Sequence, residues 1–140
     1  LRAPGISVVR AAQTATAAGP VHAMHDPTEG GLATGIWEMA QASGVGLAVD
    51  FDAVPVAPES QALCDAFDLD PLGVIASGAL LVALGPAETD RLLAALATAG
   101  MPAQVIGRAM PADAGLTAYR GGQAVPFPRF AVDEIARLFA

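Results

Sequence analysis

Two rhythms of apolar positions alternate along this chain. Residues 6–18 (ISVVRAAQTATAA) are alanine-rich and predict a helix that Gly19-Pro20 stops. The short run VHAM (21–24) predicts a strand. From Leu32 the period lengthens: Leu32, Ile36 and Ala40 recur at i, i+4, with Ala33 and Trp37 beside them, so a helix is predicted up to Ser43-Gly44. VGLAVDF (45–51) then predicts a strand of mixed alternation. The stretch AVPVAPESQALCDAFDLD is broken by prolines and predicts a short helix from about Glu59 to Phe67. The unbroken apolar run ALLVAL (79–84) predicts a strand covered on both faces.

The second half carries clearer boundary signals. Gly85-Pro86-Ala87-Glu88 opens a helix with proline near its first position and an acid in its first turn. Leu92, Leu93 and Leu96 form its predicted buried stripe, and Gly100 with Pro102 ends it. AQVIGRA (103–109) and GLTAY (115–119) predict strands, RGGQ a hairpin-like turn, and VDEIARLF a closing helix with Asp133 and Glu134 in its first turn. Strand–helix–strand thus occurs twice, near 21–51 and near 79–109. That order favours parallel or next-but-one placement of each pair of strands in one sheet. The expected fold class is α+β, a layered α/β sandwich that is partly ferredoxin-like, with no internal repeat.

Composition narrows the function classes. The 140 residues are one domain's worth of chain, and 54 % apolar against 15 % charged residues describes a folded sequence. There are seven arginines, scattered from Arg2 to Arg137, and no lysine, and the net charge is -7. A phosphate backbone needs a basic face, so nucleic acid is not an expected partner. No apolar run reaches the length of a membrane span and no signal peptide opens the sequence, so no membrane partner is expected. The single cysteine, Cys64, excludes an internal disulfide and fits a cytoplasmic location. Within its predicted helix it is read as buried filler.

The chemistry concentrates in His25-Asp26-Pro27-Thr28-Glu29-Gly30-Gly31, between a strand and a helix. Asp26 precedes proline and is pushed towards extended backbone, where its carboxylate can accept from the Thr28 amide. Gly30 and Gly31 can adopt positive φ and leave backbone N–H groups bare just where a helix begins, which makes a seat for an anion such as phosphate. The alternative is that the glycines only ease the chain into the helix. The run is neither a Walker loop nor a dinucleotide fingerprint. His25 can shuttle a proton or donate to phosphate, or it can simply be tied to a neighbouring carbonyl. Glu29 can hold magnesium or take an acceptor proton, or face water. Ser77-Gly78, ahead of the apolar strand, is a second candidate site because glycine there admits a ligand or another backbone. His22 and His25 point to opposite faces of a strand, so no zinc pair and no metal site are expected. Trp37, Met39 and Glu38 read as core and solvated face.

Three runs together, GISVVRAAQTA, HAMHDPTEGGLATGIWEMAQASGVGLAVDFDAVPV and LDPLGVIASGALLVAL, resemble the carboxy-terminal domain of the AIR synthase-related (PurM-like) superfamily. Within it the chain is similar to the HypE hydrogenase-maturation family and its archaeal-type relatives. The resemblance covers nearly all of residues 1–140. It implies an amino-terminal domain, absent from this chain, that pairs into a homodimer and supplies most contacts to ATP and Mg2+. It implies that the D-x-T-x-G-G turn, here Asp26, Thr28, Gly30 and Gly31, faces the nucleotide phosphates and the acceptor. The activity implied is ATP-dependent activation of a carbonyl-type oxygen or another phosphoryl acceptor, in hydrogenase maturation, with a maturation protein as a further partner. His25, Asp26 and Glu29 are then the expected catalytic residues, and Thr28, Gly30, Gly31, Ser77 and Gly78 the expected phosphate- or substrate-binding ones.

The sequence departs from that pattern twice. Glu29 stands where many HypE-like sequences have a basic residue. The final stretch FPRFAVDEIARLFA lacks the terminal cysteine on which that family carries its acceptor group, so HypE dehydration chemistry in its familiar form is not expected, and the isolated domain is expected to be inactive. Other readings are a non-catalytic interaction or dimerisation module, and a thiamine-monophosphate-kinase-like or selenophosphate-synthase-like domain.

Overall fold

The computed structural model describes residues 5–139. Helix α1 (Val9–Ala18) leads into strand β1 (Val21–His25), helix α2 (Gly31–Ser43) and strand β2 (Gly46–Asp50). A 3-10 turn (Phe51–Ala53) and helix α3 (Pro58–Phe67) follow, then β3 (Leu81–Leu84), a second 3-10 turn (Pro86–Glu88) and α4 (Thr89–Thr98). Strands β4 (Gly107–Met110), β5 (Leu116–Arg120) and β6 (Gln123–Val125) complete the sheets, and a 3-10 segment (Glu134–Phe139) ends the described chain.

Local signals set most of these boundaries. Helix α2 stops at Gly44, whose φ of 63° lets its amide turn back to the Ala40 and Gln41 carbonyls. The Val45 amide also reaches the Ala40 carbonyl at 3.2 Å, which closes the helix end in the usual glycine-capped way. Pro58 opens α3 where a missing N–H costs nothing. Gly121 and Gly122, at φ 57° and 72°, form the two-residue hairpin between β5 and β6 expected from RGGQ.

The helices and sheets form an α+β layered fold with two apolar clusters. In the first, Ala33 and Ile36 of α2 meet Val49, Phe51, Leu72 and Ala118. In the second, Ala15 of α1 and Leu92 and Leu96 of α4 are buried, with Val21, Met24, Val82 and Leu84 from the β1–β3 pair packed against them. Burial of Ile36, Val49 or Phe51 contributes about 1.5–3 kcal/mol each.

The strand pairing differs from the expected one. β1 pairs antiparallel with β3 in a two-stranded sheet, while β2 lies between β4 (antiparallel) and β5 (parallel) in a four-stranded sheet of order β4-β2-β5-β6. Neither strand–helix–strand unit returns to the sheet it left. The physical reason is that the β1–β3 pair lies between the two clusters, with Val21, Met24, Val82 and Leu84 on α1 and α4 and Leu81 on the α2 side, whereas Val49 of β2 belongs to the α2 cluster alone.

Two further expectations are corrected. The predicted strand 103–109 is formed only from Gly107, where the backbone approaches β2 so closely that a Cβ would sit 2.4 Å from the Ala48 carbonyl oxygen. The predicted closing helix is a 3-10 segment instead. Its outward residues Val132, Ile135, Leu138 and Phe139 are exposed, so no apolar face favours the α-helical period. Its polar residues are committed to contacts with distant loops, described below.

Candidate functional site

The site begins where β1 ends. Pro27 is fully buried and wedges against α2 at Gly35, where any Cβ would come within 2.6 Å of the proline ring. That wedge leaves Asp26, Thr28 and Glu29 exposed on a stiff turn. Gly30 and Gly31 both have positive φ, 77° and 69°, as the paired glycines predict. Gly31 lies on the backbone of residues 72–74, with room for no side chain: a Cβ would fall 2.4 Å from the Leu72 oxygen and 2.7 Å from the Val74 oxygen.

The two runs singled out in the sequence therefore meet. The Ala33 amide donates to the Leu72 carbonyl at 3.0 Å, and the Ala76 amide donates to the Thr28 carbonyl at 3.1 Å. Ser77 and Gly78 follow directly and so flank the turn. Gly78, at φ 101°, faces residue 6, with a Cβ position 3.4 Å from the Ile6 Cα. The close approach that glycine was expected to allow is made here by the chain's own backbone.

The expectation of bare amides is met in part. Gly30 donates to the Asp133 carboxylate at 2.8 Å, and Gly31 donates to the Thr28 carbonyl at 3.1 Å. Among the described residues, the amides of Thr28, Glu29 and Leu32 carry no such bond. The Asx turn expected between Asp26 and the Thr28 amide is also not formed among the described residues, because Pro27 anchors the backbone and Asp26 points to water.

His25 does not turn to Asp26. Its Nε2 sits 2.8 Å from Glu38 Oε2 on the second turn of α2, with the side chains 29 % and 50 % exposed. Glu38, expected on the solvated face of its helix, is half exposed there and pairs with His25 in addition. The signal was available in the geometry of a strand leading into a helix packed back along it, which brings position 25 beside position 38. Trp37, half-buried, is covered by the Arg129 guanidinium 3.9 Å from its ring centroid. Carboxylates gather around the turn: Asp26, Glu29, Glu38 and Asp133 stand beside the Arg129 guanidinium and the His25 imidazole.

A cleft of about 600 Å³ opens elsewhere, lined by Phe51, Asp52, Leu72, Arg120 and Arg137 among others, and no residue from 25 to 33 lines it. The cleft and the turn are therefore separate features of the surface. Among the described residues no group of three or more His, Cys, Asp or Glu side chains comes together as a metal site. No helix there is long and apolar enough to cross a membrane.

Cys64 is 3 % exposed. Burial, with the Asp65, Asp70 and Glu134 carboxylates adding to it, raises its thiol above the usual 9.0. The unfolded chain therefore releases this proton first. Stability linked to Cys64 is complete below pH 9.0 and falls as pH rises towards and through the folded value. A denaturation series across that range should show this loss in the native protein and its absence in Cys64→Ala. Thiol-reagent labelling at neutral pH should be slow until the domain is unfolded.

With this geometry in hand, comparison with known proteins is decisive. The family model for the AIR synthase related protein, C-terminal domain, matches residues 5–117. The chain belongs to that family. Its relatives in that family include proteins named carbamoyl dehydratase HypE and hydrogenase expression/formation protein. It is 38 % identical over 117 residues to the carbamoyl dehydratase HypE of Rhizobium leguminosarum bv. viciae, covering 78 % of this chain and 33 % of that protein. The crystal structure of Escherichia coli HypE superposes with a TM-score of 0.79 at 26 % identity, covering 94 % of this chain and 42 % of that one. A HypE solved in complex with ATP gives a TM-score of 0.72 at 28 % identity, over 81 % of this chain and 37 % of that one. A HypE solved in a HypE–HypF complex shares the fold, with a TM-score of 0.78 at 21 % identity over 88 % of this chain and 41 % of that one. The chain spans between about a fifth and a third of the length of the curated relatives it matches.

Proposed function

We propose that this chain is the acceptor-side domain of a HypE-like protein that uses ATP to remove water from a carbamoyl group. The observation that carries the reading is the His25–Glu38 pair, 2.8 Å apart and open to solvent, at the end of the strand that runs into the Asp26–Gly31 turn. Dehydrating a carbamoyl amide to a nitrile removes two N–H protons and one oxygen. An acidic, histidine-containing site suits the N–H side of that reaction better than it suits bare phosphate. ATP, when bound, supplies the phosphoryl group that makes the oxygen a leaving group.

The domain's own residues have separate tasks in this proposal. Glu38 accepts the two amide protons in turn, His25, hydrogen-bonded to it, holds the carboxylate and passes each proton to water, and the oxygen departs with the phosphoryl group as inorganic phosphate. The Thr28, Glu29 and Leu32 amides present donors to the oxygen as charge develops there. Glu29 stays in water at the rim, and the exposed Asp26 carboxylate is free to hold the acceptor's N–H group in place. The residues present do not assemble a magnesium site, so no step is assigned to that ion within this chain. Cys64 is buried and cannot carry the carbamoyl group. The group is presented from outside these 140 residues.

An amino-terminal ATP-binding domain, a homodimeric parent, a cytoplasmic location and a maturation partner protein belong to the same proposal. The ATP complex of one structural relative supports ATP binding by the parent. The test is phosphate release by the full-length protein supplied with ATP and a carbamoylated acceptor. Asp26→Asn should lower turnover by roughly tenfold or more while leaving the urea midpoint unchanged. Unchanged turnover after Asp26, Thr28 and Glu29 are all replaced by alanine would instead favour a non-catalytic interaction module.

A further inference from the structure

The segment from Phe127 to Arg137 lies across both loops of the site. Phe127 and Phe130 pack on the first core cluster, and Phe130 closes against Gly73, where a Cβ would lie 2.7 Å from its ring. Beyond them the attachment is polar. One Asp133 oxygen accepts from the Gly30 amide at 2.8 Å, and the other accepts from the Ile135 amide at 3.0 Å, starting its own 3-10 turn. The Glu134 amide donates to the Gly73 carbonyl at 3.0 Å, and its carboxylate accepts from the Asp70 amide at 3.0 Å. Arg137 donates to that carboxylate at 2.6 Å and to the Asp68 carbonyl at 3.1 Å.

The period of the segment explains this division. With three residues per 3-10 turn, Glu134 and Arg137 fall on the ridge beside the 68–73 loop, where only Glu134 is buried, while Ile135 and Leu138 fall on another that stays exposed. Glu134, 8 % exposed, is the buried charged side chain among the described residues. A carboxylate is buried only when its oxygens are occupied, and here an arginine and a backbone amide occupy one of them.

We infer that Asp133 and Glu134 are positioning residues: they tie the Gly30-Gly31 turn and the 68–76 loop to one strap, so that the turn keeps its geometry only while the strap is docked. The functional half of this inference rests on the proposed reading of the turn, and the structural half rests on the contacts alone. The strap acts on the turn through its backbone. Asp133 fixes the Gly30 amide, and with it the direction of the unbonded amides on either side. Glu134 fixes Asp70 and Gly73, the loop against which Gly31 rests.

Hydrogen exchange on the full-length protein, read by mass spectrometry on peptides covering 26–33 and 68–76, tests the strap independently of activity. Asp133→Ala should speed exchange in 26–33 by roughly 10- to 100-fold without changing peptides from α4. Asp133→Asn keeps an oxygen acceptor and should restore much of the protection. In turnover, Asp133→Ala should lower kcat with little change in KM for ATP, because the turn acts on the acceptor. Unchanged exchange in 26–33 overturns the strap. Faster exchange with unchanged kcat in an active parent overturns its positioning role. A wild-type parent with no ATP-dependent turnover defeats the proposed function and leaves the exchange result to judge the strap.

Discussion

Replacing Gly31 by alanine should destabilise the domain by about 2–5 kcal/mol, the sum of left-handed strain and overpacking. The new methyl would need space 2.4 Å from one backbone oxygen and 2.7 Å from another, and neither can swing away as a side-chain tip can. Gly30 provides the control. Its φ of 77° is just as demanding, but an added Cβ meets the Thr34 Oγ1 at 2.6 Å, the end of a rotatable side chain. Gly30→Ala should therefore cost about 1–2 kcal/mol, the strain alone. Urea denaturation of both variants at unchanged m-value reads the difference directly. Equal midpoints would show that the 72–74 backbone does not press on Gly31, and the contact between the two motif loops would have to be redrawn.

The second large effect concerns catalysis. Glu38→Gln in the full-length protein should lower kcat by about 10²–10⁴-fold, the usual worth of a general base, which is about 3–5 kcal/mol of barrier. Glutamine preserves size and can still hydrogen-bond His25 Nε2, so the fold should be unaffected; Glu38 is half exposed and belongs to neither apolar cluster. His25→Asn should have a smaller effect in the same direction, since His25 holds and relays where Glu38 accepts. The pair should be non-additive, with the double variant scarcely slower than Glu38→Gln alone. Full turnover with Glu38→Gln would remove the proton-transfer role from this end of the domain.

What could be read from the sequence was whatever depends on neighbours in the chain. Helix α2 lies at Gly31–Ser43, beside the expected Leu32 to Ser43-Gly44, because its apolar i, i+4 stripe and its capping glycine are local signals. Helix α3 and the β5–β6 turn are found for the same reason. The left-handed glycines of the turn were legible because no other residue adopts that backbone cheaply. Strand partners were not legible. VHAM and VGLAVDF look alike as short apolar runs, and nothing in either states that Val21 and Met24 pack on the α1–α4 cluster while Val49 joins the α2 cluster. The closing segment was misjudged because DEIARLF has helical composition, and its tertiary commitments outweigh that preference.

The site divides along the same line. Asp26, Pro27, Thr28, Gly30 and Gly31 announce a built turn, and the run DPLGVIASG proved to be its neighbour. Glu38 was assigned to water because a lone acid on a helix usually is; its partner lies 13 residues away on another element. Asp133 lies 103 residues from the amide it caps, and no local pattern marks such a contact. Both are carboxylates whose contacts arise only when distant elements meet.

The central claim is that this domain faces a carbamoyl group from which ATP-driven chemistry removes water. The measurement that bears on it most directly is the intact mass of a carbamoylated thiol acceptor incubated with the full-length protein, with and without ATP. The account predicts that the acceptor loses the mass of one water, and only when ATP is present. An acceptor that binds and keeps its full mass while ATP is hydrolysed, or that loses water equally without ATP, would contradict it.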